Sequence, residues 1–371
     1  MTYDTILLGL GGVGSAAAYH LARAGVRVLA IDRFAPGHDR GSSHGHSRVI
    51  RLAYYEHPDY VPLLRKAYEL WEQLQQQTGT TLFHKVGVLQ VGPPNGSVIP
   101  GVLASAREHN LDLETIAPDD FSRRFPGFVL PEGFAAVFEA NAGYLLVEQA
   151  VEAHAQLAQQ AGATLQTDET VTGWQPSGQG VTVSTNRDTY HAGKLVITAG
   201  AWAGGLLPGL PPLNVLKKPL YWLPAPADAY LPKNGSPCFF YDTPQGYFYG
   251  FPQLDARGVK VARHSGGTVV DDPLNVDRGL DLDDFNQVSR FIGSHLPQVA
   301  TTLGEFATCM YTMSPDEHFI VDTLPNLPQV AFAAGLSGHG FKFTSVLGYI
   351  VAELATTGQS SLPIEFLRLE R

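Results

Sequence analysis

The stretch Tyr3-Asp-Thr-Ile-Leu-Leu-Gly-Leu-Gly-Gly-Val-Gly-Ser15 decides the fold. A short apolar run, Ile6 to Leu8, leads into Gly9, Gly11 and Gly14 in a GxGxxG spacing, and an alanine-rich helical run follows from Ser15 to Ala24. A second apolar run, Val26 to Ile31, ends in Asp32. Strand, glycine turn, helix, strand and acid, in that order, build a dinucleotide site. Gly9 permits the tight turn, Gly11 lets the backbone approach a pyrophosphate, and Gly14 lets the helix lie close on the strand. The helix N-terminus offers unpaired N–H groups and a positive dipole end to the phosphates. Asp32 can accept a hydrogen bond from a ribose hydroxyl. A tight turn without a ligand is the alternative, and the motif alone does not separate FAD from a nicotinamide cofactor.

Working outward, the 371 residues predict one large or two intimate domains. With 44% hydrophobic and 16% charged residues the composition is that of a globular enzyme. No apolar run reaches the roughly 20 residues of a membrane helix, and the first strand starts almost at Met1, so a cytoplasmic protein without a signal peptide is expected. The formal charge of -10 argues against a nucleic-acid partner. The two cysteines, Cys238 and Cys309, make no disulfide framework and have no metal-ligand spacing, so no metal site is expected.

Arg33 to Arg51 is polar and rich in glycine, serine and histidine, which predicts a ligand-contacting loop. Arg48 and Arg51, three apart, are expected on one face of a helical turn, either for a ligand or as a solvated face. Tyr60 to Gly79 predicts an amphipathic helix whose aromatics belong to the core. Phe83 to Val91 and Phe134 to Tyr144 are strand-like, Val147 to Ala161 is helical, and Thr164 to Tyr190 predicts an antiparallel meander. The meander feeds Lys194 to Gly200, a buried parallel strand. Leu213 to Val270 is strand-rich and aromatic. Alternation there places Lys260, Ala262 and His264 on one face, either a solvated surface or the wall of an aromatic cavity. Leu282 to Leu296 is helical. Cys309, read alone, is a small buried residue. Near the far end, Val330 to Ala334, Gly335 to Lys342 and Phe343 to Thr356 form a second strand, glycine loop and helix. A nucleotide unit built from both chain ends around a β-rich middle fits a flavoenzyme better than an N-terminal nicotinamide domain.

Five motifs carry a resemblance: Gly41-Ser-Ser-His-Gly with Arg48-Val-Ile-Arg51, Tyr249-Gly-Phe-Pro252, the Lys260/His264 strand, Cys309 followed by Tyr311 and Pro315-Asp-Glu, and Ser337-Gly-His-Gly-Phe-Lys342-Phe. On these the chain resembles the monomeric sarcosine oxidase and N-methyltryptophan oxidase group of flavin amine oxidases, over essentially its whole length. The resemblance implies an α/β fold, a Rossmann-like FAD-binding domain of the glutathione-reductase type interleaved with an α+β substrate domain on a large, mostly antiparallel sheet. Its expected limits are 1–80, 145–212 and 318–371 for the first and 81–144 with 213–317 for the second.

The resemblance also implies roles. FAD would be attached covalently at Cys309, with Gly9, Gly11, Gly14, Asp32, Ser42, Gly338 and Gly340 as further cofactor contacts. Lys260 would activate oxygen beside the flavin, with Arg48 and His44 nearby. Arg51 and Lys342 would bind the substrate carboxylate, and Tyr249 and His264 would line the pocket. The implied reaction is oxidative demethylation of a secondary N-methyl amino acid by hydride transfer, yielding formaldehyde and, from O2, hydrogen peroxide. The expected enzyme is a monomer whose partners are that amino acid and O2. Alternatives are an oxidase of another secondary or fructosyl amino acid, a nicotinamide-dependent dehydrogenase, or a non-catalytic flavin binder. One departure is that His46 and Ser47 stand where the family pattern has an aspartate and a threonine, which removes a carboxylate near the flavin-facing loop. Pro315 to Pro325 and Arg263-His-Ser-Gly-Gly267 look closer to the N-methyltryptophan branch.

Overall fold

The computed structural model describes residues 2–226 and 228–371. Among these, strands form three sheets, of eight, nine and three strands. The strand Thr2–Leu8 lies at the centre of the first, parallel to Val28–Ile31 on one side and Thr189–Ile197 on the other. Leu327–Ala334 extends the parallel set beside Thr189–Ile197. These strands are buried on both faces and read as the continuous Val/Ile/Leu/Ala runs that such burial selects. The meander is seen as Val171–Ser177, Gly180–Thr185 and Thr189–Ile197. Thr164–Gln166, expected within it, instead pairs parallel to Val28–Ile31.

The helix Gly12–Arg23 begins inside the glycine motif and packs against Thr344–Thr357 and Val147–Gln160. Close approach explains its alanines: Ala16, Ala17 and Ala18 are fully buried, and a Cβ at Gly348 would come within 2.5 Å of the Ala16 Cβ. Residues near both ends of the sequence therefore form one unit.

All nine strands of the second sheet fall between Val88 and Met313, and only Val88–Gly92 with Cys238–Thr243 is a parallel pair. Side-chain alternation gives this sheet two distinct faces. Tyr221, Leu223, Phe239, Tyr241, Phe248, Val259 and Val261 join one apolar cluster, together with the helix Leu282–His295. Leu220, Trp222, Phe240, Tyr249, Phe251, Ala262 and Cys309 belong to another, on the opposite face. That second face also carries Lys260, between Trp222 and Phe251.

Three further expectations are corrected. Phe83 to Val91 is two strands, Phe83–His84 and Val88–Gly92, broken at Gly87, whose φ is 78°. Phe134 to Tyr144 is also two, Ala135–Glu139 in the large sheet and Gly143–Leu146 in the three-stranded one. The turn between them changes sheets, which periodicity cannot report. Arg48 lies on a strand, Ser47–Ile50, and not on a helical turn. Its ladder partner Gly143–Leu146 is almost a hundred residues away in sequence, so local spacing carried no sign of it.

Candidate active site

A long cavity of about 470 Å³ runs from the glycine turn to the Phe240 and Tyr249 face of the second sheet. At one end are Gly9 and Gly11. Gly9 has φ 96°, and a side chain at Gly14 would overlap the Gly9 carbonyl oxygen. Gly11 differs: a Cβ there would meet only Ser43 Oγ, at 3.6 Å, because the position opens into the cavity. Gly12 N–H, in the first turn of the helix, donates to Ser43 Oγ at 3.1 Å. Asp32 accepts from Leu10 N–H at 2.5 Å and Phe34 N–H at 2.8 Å, so its carboxylate braces the glycine turn from the tip of the second strand. Burial raises its pKa.

The cavity fits an extended cofactor. Among the described residues Arg33 Nη1, Trp202 Nε1, Thr312 Oγ1 and Thr344 Oγ1 are buried without a hydrogen-bond partner, and all four residues line the cavity. Unpaired buried donors are costly unless a ligand satisfies them. Together with the backbone approach left open at Gly11, they match a dinucleotide carrying ring and phosphate acceptors.

Ser42, Arg48, Arg51, Tyr249, His264, Gly338, Gly340 and Lys342 also line the cavity, as the sequence expected of a site. Gly338 has φ 79° and lies under the Tyr311 ring, where no side chain fits. Arg51 is 4% exposed, with Nη1 donating to Ala53 O at 2.6 Å and Nη2 to Glu56 Oε2 at 2.9 Å. Its guanidinium lies 4.5 Å from the centre of the Tyr54 ring, and the Lys342 ammonium lies 5.2 Å from the same ring. Burial lowers Lys342 to about 7, with Arg51 adding repulsion. Burial alone would raise the Glu56 carboxyl, but Arg51, His339 and Lys342 together outweigh it and hold it at about 2. His264 is driven to about 3 by burial and stays neutral, its Nδ1 3.2 Å from Tyr311 Oη.

Lys260, His44, Cys309 and Gly14 do not line this cavity but stand behind its walls. Lys260 is 2% exposed and donates to Gly45 O at 2.6 Å and Ser47 O at 2.8 Å. Register sets Trp222 and Phe251 on either side of it, which explains ring distances of 5.5 and 4.5 Å. Burial, then Arg48, pushes its pKa well down. Cys309 Sγ accepts from Arg48 Nη2 at 3.1 Å. Burial alone would raise this thiol, but Arg48 and His44 bring it down to about 6. His44 borders a second cavity of about 410 Å³ with Gly45, His46 and Trp222.

Several lining residues escaped the sequence reading. Glu56, Tyr55 and Trp202 belong to no local chemical motif, and only the fold brings them in, whereas His339 stands inside the Ser337 to Phe343 motif without a role of its own there. The Tyr54-Tyr55-Glu56 run after Arg51 was the available signal. A carboxylate does reach the loop that His46 and Ser47 left without one: Glu148 accepts from Gly45 N–H at 2.6 Å and His46 N–H at 3.1 Å.

Residues 4–354 match the family model described as FAD dependent oxidoreductase. A monomeric sarcosine oxidase of Streptomyces avermitilis is 41% identical, with 98% of this chain and 96% of that protein aligned. An N-methyl-L-tryptophan oxidase of Yersinia pestis is 40% identical over 100% of both. Among solved structures, the open form of NikD, an unusual amino acid oxidase of nikkomycin biosynthesis, superposes with a TM-score of 0.86 at 28% identity, covering 99% of this chain and 97% of that one. Among the described residues no helix is long and apolar enough to cross a membrane.

Proposed function

The chain belongs to the family of FAD-dependent oxidoreductases, and from that membership we propose that it is an amine oxidase that demethylates a secondary N-methyl amino acid. The observation that carries the reading is the pair of buried cations, Arg51 and Lys342, held against the one Tyr54 ring in the cavity that fits the cofactor. An arginine fork takes a carboxylate in two hydrogen bonds, and a lysine adds a second point charge. Two cations anchoring an amino acid's carboxylate also disfavour its ammonium form, so the amine is bound neutral. In that form the methyl carbon can release a hydride without a dedicated base.

Bound FAD supplies the two-electron oxidation and passes the electrons to O2, giving hydrogen peroxide. The protein orients and excludes water. Tyr249, His264 and Tyr311 wall the cavity, with His264 uncharged and therefore adding no further positive charge beside Arg51 and Lys342. Oxidation leaves a substrate imine, which water converts to formaldehyde and the demethylated amino acid. Lys260 is the group for oxygen: in its protonated form, in a dry, aromatic setting, it stabilises negative charge developing on oxygen. Cys309, with its lowered pKa, is the candidate for a thioether to the cofactor. Gly9, Gly11, Gly14 and Asp32 would hold the adenine-nucleotide half, and Ser42, Gly338 and Gly340 would contact the rest. We take the two large sheets as the cores of two interleaved units with the limits given above, in a cytoplasmic monomer.

The deciding experiment is a peroxide assay on purified holoenzyme across sarcosine, N-methyltryptophan and other N-methyl amino acids, with formaldehyde measured in parallel. Peroxide and formaldehyde in equal amounts are expected. No peroxide across the panel with flavin bound would overturn the oxidase reading.

A further inference from the structure

Lys218 sits on the strand Asn214–Leu223, across the ladder from Cys309, and is 2% exposed. It lines neither cavity. Its Nζ donates to three successive backbone carbonyls, those of His264 at 2.9 Å, Ser265 at 3.0 Å and Gly266 at 3.1 Å. The same ammonium lies 5.0 Å from the centre of the Tyr311 ring, and the Tyr311 hydroxyl meets His264 Nδ1 at 3.2 Å. Beyond Gly266 the chain turns through two positive φ angles, 65° at Gly266 and 125° at Gly267. Three carbonyl dipoles aimed at one buried point repel each other unless a cation fills that point. A buried lysine is itself expensive, and an apolar side chain of the same length would pack at lower cost. The carbonyl cluster is what gives the lysine a reason to be there.

We propose that Lys218 is a positioning residue that clamps the 264–266 turn from behind and so fixes His264 and Tyr311, the two rings that shape the substrate wall. The proposal rests on reading the cavity as an amino-acid site. A lysine ammonium has three hydrogens for three acceptors, whereas a neutral amine has two. Loss of the proton therefore releases part of the turn.

Burial lowers Lys218 to about 8; Asp284 on the helix Leu282–His295 and Cys309 across the ladder oppose the shift, and Arg263 on the neighbouring strand adds to it. The sign is useful. Between about 8 and the ordinary lysine value of 10.5 the unfolded chain holds more protons than the folded one, so this group makes global stability rise with pH. Local clamping falls over the same window. Loosening of the turn is thereby separable from unfolding.

Hydrogen exchange of the amides in 262–269 and steady-state kinetics would be compared in wild-type holoenzyme, Lys218→Met and Lys218→Arg. In Lys218→Met we expect exchange in that segment to speed roughly tenfold. KM for whichever N-methyl amino acid is turned over should rise roughly tenfold with kcat within about twofold. Wild-type KM should climb through pH 8, a feature absent from Lys218→Met and suppressed in Lys218→Arg, which keeps the charge. Unchanged exchange and KM in Lys218→Met would overturn the proposal, as would faster exchange along the whole chain. If Lys218→Met does not fold, wild-type exchange at pH 7 and pH 9, corrected for intrinsic rates, decides: no selective speeding of 262–269 refutes the clamp. Absence of turnover with every N-methyl amino acid would refute the reading of the reaction, while the exchange result would still judge the clamp.

Discussion

Arg48 holds its Nη2 3.1 Å from the Cys309 sulfur, across a separation of 261 residues. A buried thiol beside a guanidinium ionises early, and this one does so at about 6, against 9 for a free thiol. The depressed value means that the thiolate stabilises the cofactor-free fold fully above pH 9, and that this contribution is lost as pH falls through 6. Covalent loading of the cofactor-free protein should accordingly quicken with pH and level off above 6. Arg48→Met should push the midpoint up by at least about one unit, and Cys309→Ala should let acid precipitation release all flavin. Flavin that already leaves the wild-type polypeptide freely in acid would sink the thioether.

Arg51 is paired with Glu56 in the cavity that is to receive a carboxylate. Arg51→Ala should raise KM at least roughly tenfold, from the loss of charged hydrogen bonds of about 1.5–3 kcal/mol. It should also strand the Glu56 carboxylate, so the double variant Arg51→Ala/Glu56→Gln should melt higher than Arg51→Ala alone. Thermal melts of wild type, Arg51→Ala, Glu56→Gln and the double variant check this, and an additive double variant would show that the pair is not coupled.

Lys342, at about 7 in the ligand-free cavity, is lowered by burial. It is protonated below that pH, so carboxylate affinity should fall as pH rises through 7. A bound carboxylate should lift its pKa, and binding near pH 8 should take up a proton. Calorimetric titration in buffers of different ionisation heats measures the uptake. Lys342→Met should abolish it, and uptake that persists in the variant assigns the proton elsewhere.

For Lys260, flavin reoxidation by O2 should slow at least ~100-fold in Lys260→Met, as for loss of a preorganised electrostatic partner. Anaerobic reduction by substrate should change only a few-fold. Stopped-flow absorbance separates the two half-reactions, and equal slowing of both would remove Lys260 from the oxygen step.

Gly11 and Gly14 divide cofactor binding from folding. Gly11→Ala points a methyl into the cavity and should cut FAD content while the cofactor-free melt stays within about 0.5 kcal/mol. Gly14→Ala drives a methyl into the Gly9 carbonyl and should destabilise the cofactor-free protein by about 1–3 kcal/mol or more. Melting the two variants without FAD is sufficient to tell them apart.

The nucleotide unit was legible because its signals are local: a glycine spacing, an alanine helix and apolar strands each follow from neighbouring residues. Two strand–glycine–helix segments at opposite ends of the sequence even disclosed that the unit is discontinuous. The face of the second sheet that carries Lys260 was legible only through alternation along single strands, which put Lys260, Ala262 and His264 together but left open whether water or protein covers them. Phe251 and Trp222 answer that, and they do so through register between strands, which no periodicity contains. The three-residue spacing of Arg48 and Arg51 suits a helical turn, whereas the strand partner that decides otherwise lies near residue 145. Glu56 and Trp202 were invisible for the same reason: their chemistry arises from long-range closure and leaves no mark in their neighbours.

The contact of Ala16 with Gly348 has a consequence for biosynthesis. Gly12–Arg23 is among the first elements to be translated, yet it gains its main helical neighbour only when Thr344–Thr357 has been made. A nascent chain thus carries its glycine turn through most of translation with one flank of the following helix uncovered. A polypeptide that stops short of Thr344–Thr357 would keep that flank of Gly12–Arg23 bare, so closure of the glycine-turn unit has to wait for translation of this late helix.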